Sequence, residues 1–288
     1  MSLRLPPLPD RALLAQLCRE AAASEKVEPA LIEKDYYLTR LLWAVGQTLG
    51  ERLLLKGGTL LSKVDLGFFR MSEDADLVLP GEPSARKLGN VRRMHEVRGA
   101  LKTILPSVGV TTLSPGGTLS DRAAHCVWDL EYSSEFGRQG IKLEVSIRPL
   151  LLPSRRVELG QLLSDPLAGD LADAYCFGLD ADEARAEKVR AAYDREAIRD
   201  FYDLEQLLAA KADFTSKRFV ALVDAKLAEV GRPPLAKQPG SFGMTEKRRK
   251  LLRDGLVREL PAVLRKDAPD LDLSRVLRNF DRLWKKSS

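Results

Sequence analysis

Asp74 and Asp76 stand two residues apart in DADLVLP, where acid alternates with apolar residue until the chain reaches Pro80-Gly81. Alternation of that period predicts a strand over 74–79, and on a strand residues i and i+2 share a face, with α-carbons about 7 Å apart. Two carboxylates so placed offer hard oxygen ligands to Mg²⁺, which tolerates one or two carboxylates and completes its shell with water and substrate phosphates. A solvated edge strand would carry the same pattern, so the pair alone does not choose. Upstream, Gly57-Gly58 follows the short apolar run 52–55, a predicted strand, and precedes helical spacing over 59–66. Such a turn lets a phosphate approach the backbone and the N–H groups that open the helix, although a turn without function reads alike. Lys56, Thr59, Lys63 and Arg70 surround the turn and the acidic strand as candidate triphosphate contacts.

The elements that must position these residues follow from periodicity. Helical spacing predicts helices over 10–23 and 31–49, the second bounded by Pro29 and Gly50, and a basic amphipathic helix over 84–105. Strands are expected over 125–132 and 140–147, joined by the turn-prone SSEFGRQ. In the second of these, Lys142, Glu144 and Ser146 share one face, and Leu143, Val145 and Ile147 the other. The stretch 150–179 gives no clear period. Beyond it the chain reads as helical, over 182–193, 198–211, 216–230, 246–265 and 273–286, with a Gly/Pro-rich loop at 231–243. The expected fold class is α/β (α+β): a small mixed sheet packed by helices over 1–150, then a mainly helical domain over 151–288. Trp43, Trp128 and Trp284 are expected in the core.

Composition narrows the classes. With 44% hydrophobic and 30% charged residues the chain is too apolar for disorder, and no run approaches the roughly 20 apolar residues of a membrane helix. The opening MSLRLPPLPDRALLAQL lacks the apolar core and cleavage site of a signal peptide, and three scattered cysteines suit a reducing cytoplasm. Two histidines make a histidine-rich zinc site improbable. The net charge of +5 is uneven: residues 211–288 hold 19 Lys and Arg against 10 Asp and Glu, a balance of +9, and the remainder 27 against 31, or −4. Lys247, Arg248 and Arg249 form part of that basic segment, which suits a polyanionic partner or simply a set of solvated helix faces.

The segment KGGTLLSKVDLGFFRMSEDADL, from Lys56 to Leu77, resembles the AbiEii toxin family, nucleotidyltransferases of bacterial toxin–antitoxin and phage-defence systems that include the MenT toxins. LIEKDYYLTRLL upstream, IKLEVSIRP, and EKVRAAYDREAIRDFYDL are similar to that family too, in its order, from about Leu31 to Leu207. The resemblance implies a minimal polymerase-beta-like nucleotidyltransferase fold. It implies that Asp74 and Asp76 are the metal-binding acids, Ser72 the small hydroxyl residue before them, and Glu144 the third carboxylate. It also implies that Lys188 meets the nucleotide's phosphates and that Asp203 is the last catalytic acid, four residues after Arg199 and able to share its helix face. The acids Asp194 and Glu196 between Lys188 and Arg199 sit awkwardly with phosphate binding, and Lys34 and Asp35 match family positions of underived role.

The implied activity is Mg²⁺-dependent transfer of NMP from an NTP to the 3′ end of tRNA, blocking translation, with a cognate antitoxin as protein partner. Three alternatives stay open: nucleotidylation of a protein such as the antitoxin, a kinase-like phosphorylation, and a binding module whose acids only stabilise the fold. No membrane role is expected.

Overall fold

The computed structural model describes residues 5–163 and 171–285 of the 288. Two helices open the chain. In α1 (Arg11–Glu25) the Asp10 carboxylate accepts from the Ala12 and Leu13 N–H groups, supplying partners that the first turn otherwise lacks. Helix α2 (Pro29–Leu49) has proline in its first turn, where the missing N–H costs nothing, and stops at Gly50 with φ +54°. It buries most of its circumference, from Ile32 to Leu49, because α1, α4 and the sheet all pack around it. The following strand is shorter than expected: Gly50–Arg52 forms a 3₁₀ turn, leaving β1 as Leu54–Leu55.

Helix α3 begins at Gly57 (Gly57–Leu60) and widens into one π turn over Leu61–Asp65. After β2 (Asp74–Pro80) and α4 (Lys87–Ser107) come β3 (Val110–Thr111), β4 (Thr118–Ser120), β5 (His125–Tyr132), β6 (Gln139–Arg148), β7 (Arg155–Glu158) and β8 (Tyr175–Gly178). They form a mixed sheet in the order β3-β5-β6-β2-β1-β8-β7, with β4 on β5. Strands β2 and β6 are parallel and pair Asp74 with Lys142 and Asp76 with Glu144, whereas β5 and β6 are antiparallel. One face of these strands is buried through Ala75, Leu77, Leu143, Val145, Cys126 and Trp128. The period of two therefore leaves Asp74, Asp76, Glu144 and His125 together on the other, more open face.

Compact units divide after Leu179, into Met1–Leu179 and Asp180–Ser288. The boundary expected at 150 falls inside the first unit, because β8 pairs in parallel with β1 and β7 with β8. Lack of a sequence period over 150–179 reflects two strands of only four residues each.

The second unit is helical: α5 (Ala181–Asp194), α6 (Ile198–Ala209), α7 (Lys217–Ala228), α8 (Glu246–Arg258) and α9 (Leu273–Lys285). Asp180, Ser216 and Thr245 cap α5, α7 and α8 through their side chains. Its core is aromatic, with Phe242 edge-on to Phe201, Phe280 and Trp284 at 5.3–5.4 Å between ring centres. Helix α8 ends seven residues before the expected 265. Pro261 is the cause: it disfavours helical backbone at Leu260 and starts a 3₁₀ turn. Lys286, the last residue expected in the final helix, lies outside the described residues, as does the MSLR start. Among the described residues no helix is long and apolar enough to cross a membrane.

Candidate active site

On the open face of the first unit, Asp74 and Asp76 are half-buried and flank buried Ala75, as the i, i+2 rule requires. Gly57 has φ +70°, and a Cβ there would stand 2.6 Å from Asp76 Oδ2. Glycine is thus needed twice over at this position, for its left-handed backbone and for the carboxylate lying against it. At Gly58 a Cβ would come 2.3 Å from the buried Arg70 guanidinium, which donates to the Met71 carbonyl. The Gly-Gly turn is a seat that holds Asp76 on one side and Arg70 on the other. Lys56, partly exposed, has its ammonium 3.8 Å from Asp76. The start of α3 has no side-chain cap, so its first N–H groups are not taken by a capping residue.

Thr59 and Ser72 serve this geometry from within. Buried Thr59 Oγ1 lies 2.7 Å from Ser72 Oγ and donates to the Asp74 carbonyl, tying α3 to the start of the acidic strand. Lys63, expected at the triphosphate, is enclosed instead: its ammonium is 2.6 Å from Asp35 on α2 and 4.9 Å from the Phe68 ring centre. Burial pushes the Asp35 carboxyl up and the Lys63 ammonium down, each opposed by the other's charge. The same helix sends Lys34 to Glu73 at 2.9 Å. Lys34 and Asp35, without a derivable role in the sequence, thus act as braces between α2 and the segment that leads from α3 into β2.

Glu144, in register with Asp76, is not gathered with the two aspartates into one cluster. Its carboxylate receives Lys142, and its Oε2 lies 3.1 Å from His125 Nε2. The His125 hydrogen bond and Lys142 outweigh partial burial and bring Glu144 down to about 2. Among the described residues no group of three or more His, Cys, Asp or Glu side chains is poised around one metal position. Two carboxylates on an accessible face suit Mg²⁺, which takes its remaining ligands from water and phosphate, better than an all-protein zinc or calcium cage. His125 is a site residue that sequence reading missed. The alternation of β5 put it on the open face, but its diagonal approach to Glu144 depends on the hairpin register.

In the second unit Lys188 and Asp203 do come together, but in the interior. The Lys188 ammonium lies 2.9 Å from Asp200 and 2.8 Å from Asp203, with all three side chains at most 4% exposed. Arg195, between the troublesome acids 194 and 196, reaches Asp200 through two hydrogen bonds of 2.6 and 2.8 Å. Burial pushes Asp200 up, yet Lys188 and Arg195 together hold it well below the usual carboxylate range. The i, i+3 spacing of Asp200 and Asp203 was the signal for this pairing. Arg248 likewise leaves the basic surface: it is buried and donates to the Phe242, Ala192 and Arg195 carbonyls. Trp128 is in the core, and Trp284 packs against the aromatic cluster.

Similarity to known proteins agrees with this geometry. The model of the family described as nucleotidyl transferase AbiEii toxin, type IV toxin–antitoxin system, matches residues 40–286. No curated protein matches the chain. Among solved structures, the chain is similar to MenT4, a nucleotidyltransferase toxin from Mycobacterium tuberculosis H37Rv. That match has a TM-score of 0.63 at 22% identity, over 96% of this chain and 90% of the other. It is also similar to JHP933 from Helicobacter pylori, with a TM-score of 0.51 at 18% identity, over 91% and 93%. With a family match that spans most of its length and includes both aspartates, the glycine turn, Lys188 and Asp203, this chain belongs to the AbiEii nucleotidyltransferase toxin family.

Proposed function

We propose that the protein binds an NTP with Mg²⁺ at Asp74 and Asp76 and transfers NMP to the 3′ end of tRNA, halting translation until a cognate antitoxin restrains it. The observation that carries this reading is the seat formed by Gly57-Gly58 against Asp76 on the open face of the sheet. Asp74 and Asp76 hold the cation, and the backbone of Gly57 and Gly58 lies where no side chain would keep a phosphate away. A bound Mg²⁺ supplies charge compensation to the phosphates as the leaving pyrophosphate departs. Lys56 supplies a further positive charge at the rim of the seat. Thr59, Ser72, Lys63 and Arg70 act indirectly, by fixing the strand and turn.

Lys188, enclosed with Asp200 and Asp203, reads as the electrostatic centre of its own unit, and any contact with phosphate requires its ammonium to exchange a carboxylate for the ligand. The +9 balance of residues 211–288 favours a nucleic acid over a protein as acceptor. Each radiolabelled NTP in turn, incubated with total tRNA, Mg²⁺ and the protein, tests the reading. Label in tRNA that disappears with EDTA or with Asp76→Asn is expected. Label appearing only in protein, or in tRNA regardless of Asp76, would remove it.

A further inference from the structure

Nucleotidyl transfer must dispose of the proton of the attacking hydroxyl, and the open face holds a chain of groups suited to that task. Ser120 Oγ lies 2.9 Å from His125 Nδ1, and His125 Nε2 lies 3.1 Å from Glu144 Oε2. Glu144 is the Cα partner of Asp76 on the adjoining strand. The order across the sheet is therefore Asp76 on β2, Glu144 on β6, His125 on β5 and Ser120 on β4.

The proton positions follow from the partners. Glu144 is ionised and also receives Lys142, so it can only accept. Nε2 must then carry the hydrogen that points to Glu144, and in a neutral imidazole Nδ1 keeps its lone pair, to which Ser120 donates. A carboxylate that fixes one nitrogen and leaves the other basic is the division of labour found in acid–histidine pairs. The His125 side chain is 29% exposed and Ser120 is exposed, so Nδ1 opens to solvent once the serine hydroxyl turns aside.

The backbone makes this meeting possible at a conformational cost. Between Ser120 and His125, Asp121, Arg122 and Ala123 have φ of +45°, +49° and +63°, three successive side-chain-bearing residues in the left-handed region. Asn90 donates to the Arg122 carbonyl at 3.1 Å, and the Ala124 N–H to the Asp121 carbonyl at 2.8 Å. This turn sets Ser120 opposite His125 in the β4–β5 register. Backbone held in such a conformation by its neighbours is concentrated at functional sites.

We propose that His125 is the general base of the transfer, accepting the proton of the acceptor hydroxyl at Nδ1, with Glu144 and Ser120 as its positioning residues. The assignment rests on the nucleotidyltransferase reading above. The acceptor oxygen forms its bond to the α-phosphorus, the bond from that phosphorus to the bridging oxygen breaks, and pyrophosphate leaves with the electron pair. The hydroxyl proton moves to Nδ1, and the imidazolium is held by Glu144 through Nε2–H until it returns the proton to water. Other groups on the face suit the task less. Asp74 and Asp76 are committed to the cation, Glu144 at about 2 is a weak base, and Lys142 is already protonated.

His125→Gln keeps a donor for Glu144 but cannot take up a proton, whereas His125→Ala opens a space that imidazole can fill. In single-turnover transfer of labelled NMP to the acceptor that the parent protein modifies, both variants are expected to bind NTP as the parent does. Transfer should slow by about 10²- to 10⁴-fold, with added imidazole restoring part of the rate in His125→Ala alone. A purely structural histidine would be rescued by Gln and indifferent to imidazole. Parent-like transfer by His125→Gln overturns the assignment, and this near-isosteric variant decides the matter should His125→Ala fail to fold. If the parent transfers no nucleotide to any acceptor, it is the reading of function that fails instead.

Discussion

At the residue scale, the same side-chain type does opposite things within this chain. Lys56 stands at the rim of the glycine seat, whereas Lys63 and Lys188 are enclosed with carboxylates. Lys188→Ala leaves Asp200 and Asp203 buried with less compensating charge. Removing one partner of a buried ion pair costs about 3–5 kcal/mol, and because Arg195 still serves Asp200 the lower end is expected, read from the urea midpoint. An unchanged midpoint would show that the ammonium is not holding the two acids. Any loss of transfer in this variant has to be judged against that loss of stability. Asp74→Asn and Asp76→Asn differ, since both residues are half-exposed on a strand whose pairing is by backbone. They should keep the parent's midpoint and lose at least about 10²-fold in transfer rate for want of an anionic metal ligand. Full activity of either at matched Mg²⁺ contradicts the assignment.

Glu144 gives a pH dependence with a definite sign. Its pKa falls from 4.5 to about 2 on folding, so between those values the unfolded chain binds more protons and stability rises with pH. The contribution is complete above about 4.5 and is lost as the pH falls toward 2. Urea midpoints measured across that window should fall less steeply in Glu144→Gln than in the parent. Equal slopes would mean that His125 and Lys142 do not lower the carboxyl.

At the scale of elements, the decisive join is between α3 and β2. Thr59 ties the helix to the Asp74 carbonyl, the Lys56 N–H donates to the Asp76 carbonyl at 2.9 Å, and Gly57 lies against the Asp76 side chain. Gly57→Ala places a Cβ where Asp76 Oδ2 now stands and forces a left-handed backbone on a residue that resists it, at about 1–2 kcal/mol. Asp76 must move, so transfer should fall by more than the stability loss explains, and Mg²⁺-dependent NTP affinity should weaken with it. Parent-like affinity, measured by calorimetry, would show that the turn is not the seat of the nucleotide.

At the scale of the whole molecule, the +9 balance of residues 211–288 is distributed unevenly between surface and interior. On α8, Lys247, Lys250 and Arg253 are exposed, while Arg248 is spent on three carbonyls of its own unit. Reversing Lys247, Lys250 and Arg253 to Glu should weaken tRNA binding and flatten its salt dependence. The log–log slope should shrink by about 0.7–0.9 for each phosphate that is no longer neutralised. NTP affinity should not change. A salt-independent affinity in the parent would make the basic helices a solvated surface. Arg248→Glu is expected to unfold the second unit, and so cannot report on RNA.

The sequence by itself determined the family, the mixed fold, and the placing of both aspartates on one face beside a glycine turn. Those features are local: a period of two, a Gly-Gly break, and motifs kept in order along the chain. It could not assign the environments of the charged side chains, which depend on partners brought from elsewhere. Lys63 meets Asp35 across 28 residues, and Glu144 meets His125 across 19. Whether a lysine faces a phosphate or a buried carboxylate, and whether a glutamate binds metal or orients a histidine, was decided by packing. Only the folded chain fixes which opposite charge reaches each group and how much water is left around it.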